Sequence, residues 1–353
     1  MSTNRLIETA LRYLLAALCC GACTKDVAFR DKETDPVLVV NSIVTAGEAV
    51  CFSVSKSVFF LEDVTNTSAP EGLEASLFVN GVEITGLTVE DDTVGQVYGN
   101  DYYDSYSGIP VIHKLFRSAY VAKEGDEVRI KVSAPGFAPV EGSCTLPTFQ
   151  TQFEIQHSLV STDIDTSYAG DSTYWVSAEI AVKIQLTDLH PGSRDYYLLQ
   201  LHPSSSVIRE GSYEHGDYKP TLYWNLNAYS NDPVFQQMRS PLETELDGES
   251  ALPDHAIFTD LLFDGKSHTL NITLKFLGLL ADTMNNVDFD VEIRQLDRNL
   301  YQYYNTCDGN NGWLDEIGYF FREPVQTFSN ISQGYGIVGA SSRKSGHVRF
   351  KAF

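Results

Sequence analysis

Short segments in which apolar and polar residues alternate recur along most of this chain, with glycine, proline and asparagine between them. Clear examples are residues 51–57, 128–134 and 177–186. A period of two places all apolar side chains on one face of an extended strand, so these segments predict strands with one buried face. Asn80-Gly81, between two such segments, is typical of a β-hairpin turn. The pattern predicts an all-β fold of immunoglobulin- or transthyretin-type β-sandwiches.

The length of the chain indicates how many cores it contains. At 353 residues it exceeds the roughly 250–300 residues beyond which a single core stops growing. We therefore expect two domains. The predicted N-terminal β-sandwich domain covers residues 36–148, and the predicted C-terminal domain, also β-rich and sandwich-like, covers residues 149–353.

One short helix is predicted near the C-terminus. Asp297 is a residue type that caps helices, because its carboxylate accepts hydrogen bonds from the first free backbone N–H groups. Leu300, Tyr303, Tyr304 and Cys307 follow it at helical spacing.

The first 22 residues have the pattern of a lipoprotein signal peptide. Arg5 and Arg12 accompany an apolar run over residues 13–20, and small residues then lead directly to Cys23. The run is too short to cross a bilayer of about 30 Å, which takes about 20 apolar residues. It therefore indicates a cleaved signal. We predict that Cys23 carries a diacylglycerol and anchors the chain to a membrane.

The signal leaves three alternatives open. Cys20 is a second candidate for the modified residue, and the segment is also compatible with an ordinary secretory signal or a buried amphipathic helix. Residues 23–35 are polar and charged, and they predict a flexible tether between the anchor and the folded body. No later stretch is apolar for long enough to span a membrane.

The negative charge of the chain limits its partners. A formal charge of −22 repels phosphate backbones and anionic lipid head groups. We therefore expect no nucleic-acid partner, and an acidic surface that keeps the protein soluble outside the cell.

Three cysteines follow the predicted lipidation site, and they form no Cys-x-x-Cys motif. Cys51 and Cys144 both fall on predicted strands of the first domain. In an oxidising compartment a disulfide between them is one hypothesis. The other is that both are small buried hydrophobic residues. Cys307 is predicted to be unpaired.

The sequence lacks the common short motifs of serine hydrolases and zinc proteases, and Asp163, Asp165 and Ser167 match only the first part of a calcium-binding loop. It contains neither Gly-x-Ser-x-Gly, which places a nucleophilic serine on a sharp turn, nor His-Glu-x-x-His, which places two zinc ligands on one helix face. We therefore expect no catalytic residues, no metal and no cofactor, although a site assembled from distant strands would leave no such motif.

Two segments without strand periodicity mix aromatic rings with carboxylates and amides. Exposed rings of this kind offer apolar area with little loss of entropy, which suits a sugar or peptide ligand. The alternative is that the rings pack these loops onto the sandwiches. The candidate ligand-binding residues are Tyr102, Tyr103, Tyr106, Tyr218, Tyr223 and Trp224.

Several short motifs carry a family likeness through their order and spacing. They are Cys23-Thr24-Lys25-Asp26, Val39-Val40-Asn41, Ser55-Lys56-Ser57, Phe263-Asp264-Gly265, the joint over residues 296–304, Glu323-Pro324-Val325, Ser329-Asn330-Ile331 and Gly334-Tyr335-Gly336-Ile337. With these motifs the chain resembles the family of Bacteroidota lipoproteins labelled domain of unknown function 4249.

This resemblance covers essentially the whole chain after the signal. It implies two β-rich parts behind a lipoprotein signal, no known catalytic residues, and a setting in the outer membrane beside TonB-dependent transporters. Lys25-Asp26 is similar to charged export signals, which implies exposure at the cell surface.

Together these observations predict a lipid-anchored protein of the outer membrane, exposed at the cell surface. Its expected role is that of a non-enzymatic accessory binding subunit of a TonB-dependent nutrient uptake system, with a β-barrel transporter as its partner. A structural or adhesive surface lipoprotein is the first alternative, and an unrecognised envelope hydrolase is the second.

Overall fold

Strands make up most of the computed structural model of the protein. The structure describes residues 35–57, 69–94, 111–165, 173–203, 213–214, 217–218, 224–238, 251–252, 256–281, 286–307 and 327–351. The strands are β1 (Leu38–Thr45), β2 (Ala49–Lys56), β3 (Glu74–Val79), β4 (Val82–Ile84), β5 (Thr88–Val94), β6 (Val111–Val121), β7 (Glu127–Ser133), β8 (Val140–Thr145), β9 (Thr151–Asp165), β10 (Thr173–Asp188), β11 (Tyr196–Pro203), β12 (Tyr213–Glu214), β13 (Asp217–Tyr218), β14 (Trp224–Tyr229), β15 (Ala256–Thr259), β16 (Ser267–Ala281), β17 (Asn286–Leu296) and β18 (Tyr335–Lys351). Within this part of the chain, the helix α1 spans Arg298–Cys307, and short 3-10 helices span Pro233–Met238 and Asp260–Leu262.

One long sheet supports two smaller ones. The long sheet has eight strands in the order β15-β11-β17-β18-β1-β2-β6-β5. Four strands in the order β4-β3-β7-β8 enclose one core against the β1–β2–β6 half of the long sheet, which we call the first sandwich. Four strands in the order β14-β16-β10-β9 enclose a second core against the β11–β17–β18 half, which we call the second sandwich.

Burial follows the alternation of the sequence. In β7 the apolar residues Val128, Ile130 and Val132 are buried, and the charged residues between them are more exposed. Full burial of an aliphatic side chain of this size contributes about 1.5–3 kcal/mol, so each strand adds several such terms to its core. The predicted all-β fold, with two sandwich-like parts and one short helix near the C-terminus, is confirmed.

β18 belongs to both sandwiches. Residues 335–341 of this strand pair in parallel with β1, and residues 341–351 pair antiparallel with β17. Accordingly, Val338 contributes to the first core and Val348 to the second.

The predicted division after residue 148 therefore does not separate two independent bodies. Strands from both sides of that position share the long sheet, and the chain from Pro36 to Phe353 forms one compact unit. The physical reason is the pairing of the first strand with the last, a contact between distant segments that local periodicity does not encode.

Asp297 caps α1 and joins it to β18. Its Oδ1 atom accepts hydrogen bonds from the backbone N–H groups of Leu300 and Ala340, each at 3.0 Å. Burial raises the pKa of Asp297 to about 6, against the opposing effect of these hydrogen bonds. Leu300 packs with Leu198 and Ile257 on the face of the long sheet that lies opposite the two cores. No helix among the described residues has both the length and the apolar character needed to cross a membrane.

Two glycines allow β18 to lie beside β1. Gly336 has a φ of +108°, which side-chain-bearing residues rarely adopt, and a Cβ atom there would overlap the carbonyl oxygen of Val40. A Cβ atom on Gly334 would lie 2.5 Å from the carbonyl oxygen of Leu38. The Gly334-Tyr335-Gly336-Ile337 motif is thus explained by the close approach of two backbones.

We predict that Gly336→Ala destabilises the protein by about 3 kcal/mol or more, because the added methyl group forces the two paired strands apart. Gly47→Ala is the matched control. Gly47 also has a positive φ, of +86°, but no atom lies within 4 Å of a Cβ placed there, so its cost is the backbone strain alone, about 1 kcal/mol. Urea denaturation of the purified variants measures both free energies of unfolding, and equal losses would contradict this account.

Candidate functional site

The aromatic residues predicted to contact a ligand fall mostly outside the described residues. Tyr218 lies in β13 and pairs with Tyr213 of β12, and Trp224 begins β14 opposite Gly278 of β16. A ligand role for these two segments stays a prediction. The predicted residues outside the described part are Tyr102, Tyr103, Tyr106 and Tyr223, together with the lipidation site Cys23.

The structure places Cys51 and Cys144 in different surroundings. Cys51 and Cys144 are both free. Cys144 on β8 points into the first core, and burial raises the pKa of its thiol. Cys51 on β2 lies between the buried residues Val50 and Phe52, so its side chain points to the opposite face of the long sheet. The structure therefore does not form the hypothesised disulfide, because the two side chains point in directions that cannot meet. The alternative of a small buried residue describes Cys144, whereas Cys51 is only half-buried.

An open groove lies on the outer, solvent-facing side of the second sandwich. Asp163 and Asp165 of β9, Trp175 and Ser177 of β10, and Leu277 of β16 line a volume of about 390 Å³. The register brings these residues together, since Asp165 pairs with Trp175, and Ser177 pairs with both Asp163 and Leu277. Paired positions point to the same face of a sheet. We call this surface the Trp175 groove.

The same face continues into a second groove of about 250 Å³. It is lined by residues that include Ala181, Tyr229 and Asn271, and the Nζ atom of Lys275 lies 4.5 Å from the centre of the Tyr229 ring. Ala181 is six residues from Trp175 on β10, a distance of about 20 Å at roughly 3.3 Å per residue. The face therefore presents two aromatic side chains along an extended, rigid surface.

The Trp175 groove has the chemistry of a sugar-binding surface. A partly exposed indole ring offers a flat apolar area on which the CH groups of a sugar ring can stack. Ionised carboxylates such as those of Asp163 and Asp165 only accept hydrogen bonds, so they suit hydroxyl donors, and the hydroxyl of Ser177 can both donate and accept.

Four aspartates meet at one end of the second sandwich. One carboxylate oxygen from each of Asp188, Asp260 and Asp264 lies within 4.8 Å of the other two. Asp188 and Asp260 are buried, at 3% and 1% exposure, whereas Asp264 is exposed. Asp195 is close enough for its charge to raise the pKa of Asp260. We call these four residues the aspartate cluster.

Two turns hold the aspartate cluster in place. The first turn joins β10 to β11 and the second joins β15 to β16, and both connections cross between the two sheets of the second sandwich. Asp188 accepts hydrogen bonds from the N–H groups of His190 at 2.8 Å and Gly265 at 2.6 Å. Asp264 accepts a hydrogen bond from the N–H of Gly192 at 2.7 Å. Each turn is therefore anchored by a carboxylate of the other.

The electrostatics of the cluster are those of crowded, poorly solvated carboxylates. Burial raises the pKa of Asp260 to about 6, and the neighbouring negative charges add to this effect. Burial and the charge of Asp188 also raise the pKa of Asp195. Among the described residues, no lysine or arginine forms an ion pair with any of the four carboxylates.

Sequence reasoning missed both surfaces. A signal for the Trp175 groove was present, because Trp175 occupies the polar phase of an alternating strand, together with Ser177 and Lys183. Asp264-Gly265 was part of a recognised motif, but nothing in the sequence showed that its turn would meet the turn that follows Asp188.

Comparison with solved structures gives only distant likenesses. The chain is similar to the C-terminal domain of the AgI/II polypeptide BspA from Streptococcus agalactiae, with 10% identity, a TM-score of 0.17, and coverage of 73% of this chain and 95% of that one. It is also similar to the C-terminal domain of the antigen I/II-family protein AspA from Streptococcus pyogenes, with 9% identity, a TM-score of 0.18, and coverage of 88% and 99%. TM-scores this low carry no argument.

The family comparison is more informative. No curated protein matches the chain. The family described as a domain of unknown function, DUF4249, matches residues 25–347, which is nearly the whole chain. The chain therefore belongs to the DUF4249 family.

Proposed function

We propose that the protein is a lipid-anchored, non-enzymatic binding protein of the bacterial cell envelope that holds a carbohydrate in the Trp175 groove. The observation that carries this proposal is the position of Trp175, a half-buried ring with Asp163 and Asp165 beside it on a solvent-facing sheet. The strong net negative charge of the chain disfavours anionic glycans, so neutral sugars fit best.

The rigidity of the platform supports binding. Trp175 and Ser177 alternate with the buried residues Val176 and Ala178, which fix β10 against the second core. A ring held by a packed strand loses little conformational freedom when a ligand stacks on it, so more of the contact energy appears as affinity.

The location and the partner are further parts of the proposal. The apolar run before Cys23 supports a lipid anchor. The family resemblance supports the outer membrane, and Lys25-Asp26 supports exposure of the body at the cell surface. From the resemblance described above, we propose a TonB-dependent β-barrel transporter as the partner, with the protein delivering or retaining sugar at its entrance. A surface adhesin would use the same groove without a transporter.

Cys23→Ala tests the anchor. We predict that this variant leaves the membrane fraction and incorporates no labelled palmitate, because a chain without its acyl groups loses about 0.8 kcal/mol of membrane affinity per buried methylene. Cys20→Ala is the matched control and should remain labelled and membrane-bound. Retention of label in Cys23→Ala would assign the modification to another residue such as Cys20, and absence of label from the wild-type protein would reject the lipid anchor.

Isolation of the native protein tests the partner. We predict that pull-down of the wild-type chain from membranes in mild detergent co-isolates a TonB-dependent transporter, identified by mass spectrometry. Membranes from a strain that lacks the protein provide the background control. Efficient recovery of the protein with no transporter would oppose the uptake role and favour adhesion.

Trp175→Ala tests the groove. We predict that the wild-type protein binds members of an array of neutral oligosaccharides, and that Trp175→Ala weakens the strongest binding at least tenfold, or about 1.4 kcal/mol, because the stacking surface is lost. Tyr335→Ala is the control, since Tyr335 is an exposed aromatic residue on the long sheet. Titration calorimetry measures the affinities. Equal affinity of Trp175→Ala and the wild type would show that the Trp175 groove is not the sugar-binding site.

A further inference from the structure

The aspartate cluster lies apart from the residues of the Trp175 groove and has a different chemistry. We propose that Asp188, Asp195, Asp260 and Asp264 together form a binding site for one Ca²⁺ ion. This inference does not depend on sugar binding.

The first argument is an unpartnered buried oxygen. Asp260 is only 1% exposed, and its Oδ2 atom is buried. This atom makes no hydrogen bond with the described residues. The Oδ2 atom of Asp195 is in the same situation. Buried polar atoms are normally hydrogen-bonded, and buried charges are paired or coordinate a metal. These oxygens therefore lack a partner that a cation would supply.

The second argument is uncompensated charge. Three of the carboxylates lie within 4.8 Å of one another and the charge of Asp195 acts on Asp260, and among the described residues no lysine or arginine forms an ion pair with any of the four. The hydrogen bonds that they accept come from neutral groups, namely backbone N–H groups such as those of His190, Gly192 and Gly265, and the side-chain amide of Gln295, which binds Asp195.

A divalent cation would offset two of the negative charges. It would supply the missing partner of the Oδ2 atoms of Asp260 and Asp195, and it would share the oxygens of Asp188 with the N–H groups of His190 and Gly265.

The identity of the cation follows from the ligand atoms. Carboxylate oxygens are hard ligands that suit Ca²⁺ and Mg²⁺, whereas zinc sites in proteins draw mainly on histidine and cysteine. The oxygens that Asp188, Asp260 and Asp264 offer lie within 4.8 Å of one another, which is close enough for one Ca²⁺ ion to contact all three at Ca–O distances of about 2.3–2.6 Å. Mg²⁺ requires shorter distances and near-octahedral order. Asp264 is exposed, so water can reach the ion and complete its larger coordination shell.

Bound Ca²⁺ would stabilise the end of the second sandwich. Its ligands come from both inter-sheet turns, which already share a hydrogen bond from the N–H of Asp260 to the carbonyl of Asp195 at 3.2 Å. The ion would link these crossings through side chains as well as backbone. The expected signature is therefore a calcium-dependent melting temperature.

Thermal unfolding of the full-length protein tests the proposal. After treatment with a chelator, addition of CaCl₂ should raise the Tm by several degrees with a saturation curve for one site, and MgCl₂ at the same concentration should have a clearly smaller effect. No rise with Ca²⁺, or an equal rise with Mg²⁺, would overturn the assignment.

Asp260→Asn separates a metal ligand from an ordinary structural residue. Without Ca²⁺ this variant should melt at or above the wild-type temperature, because an unpaired buried charge has been removed. With Ca²⁺ it should show no calcium-dependent rise. A full rise in Asp260→Asn would overturn the proposal, and so would a large loss of Tm that is the same with and without Ca²⁺.

Two further variants complete the test. Asp264→Asn changes an exposed ligand but keeps an oxygen that can accept the hydrogen bond from the N–H of Gly192, and it should weaken Ca²⁺ binding at least tenfold in titration calorimetry. It decides the question if Asp260→Asn does not fold. Asp91 is an exposed residue of β5 that forms an ion pair with Lys114. Asp91→Asn therefore removes one negative charge away from the aspartate cluster, and this variant should bind Ca²⁺ like the wild type. Unchanged affinity in Asp264→Asn would reject the site.

Discussion

The parallel pairing of β1 with β18 determines how the rest of the molecule is arranged. It joins segments almost the whole chain apart, and it makes one continuous sheet out of what would otherwise be the inner sheets of two sandwiches. At Ser341 the pairing with β1 ends and the pairing with β17 begins, and the N–H of Ala46 donates to the carbonyl of Ser341 at 2.9 Å. Because this contact spans so much sequence, its loop-closure entropy must be overcome before either core is complete.

Local patterns predicted the elements of this structure but not their pairing. The alternation in β7 and β10 placed their buried faces correctly, and Asp297 identified the start of α1. Periodicity carries no information about which strand lies beside which, so the sequence could not show that β18 would pair with β1. For this reason the expected boundary after residue 148 falls between the two cores, with Leu146 in the first and Phe149 in the second, but it does not divide the long sheet. The glycines of residues 334–336 were visible as a motif, but only the approach of β1 explains them.

The sequence contains a signal for the Trp175 groove but none for the aspartate cluster. Trp175 could have been found, because the phase of β10 already placed it on the solvent side with Ser177. The aspartate cluster could not, because Asp188 and Asp264 meet only after two separate turns cross between the same pair of sheets. The ligand role predicted for the aromatic residues of the irregular segments rests on composition alone. Composition does not distinguish a binding surface from rings that pack a loop onto the fold.

β10 carries both sites, and its rigidity governs how they interact. Trp175 lies near the start of this strand and Asp188 at its end, thirteen residues away, or roughly 40 Å at about 3.3 Å per residue. The strand between them is paired on both sides and its alternate residues are buried in the second core. Coupling between two sites requires an element that can adopt two alternative conformations. A strand packed in this way has only one conformation, so binding at one site does not change the affinity of the other. Sugar binding and Ca²⁺ binding should therefore contribute independently, the first by stacking on a surface that the core holds fixed and the second by stabilising the turns at the far end.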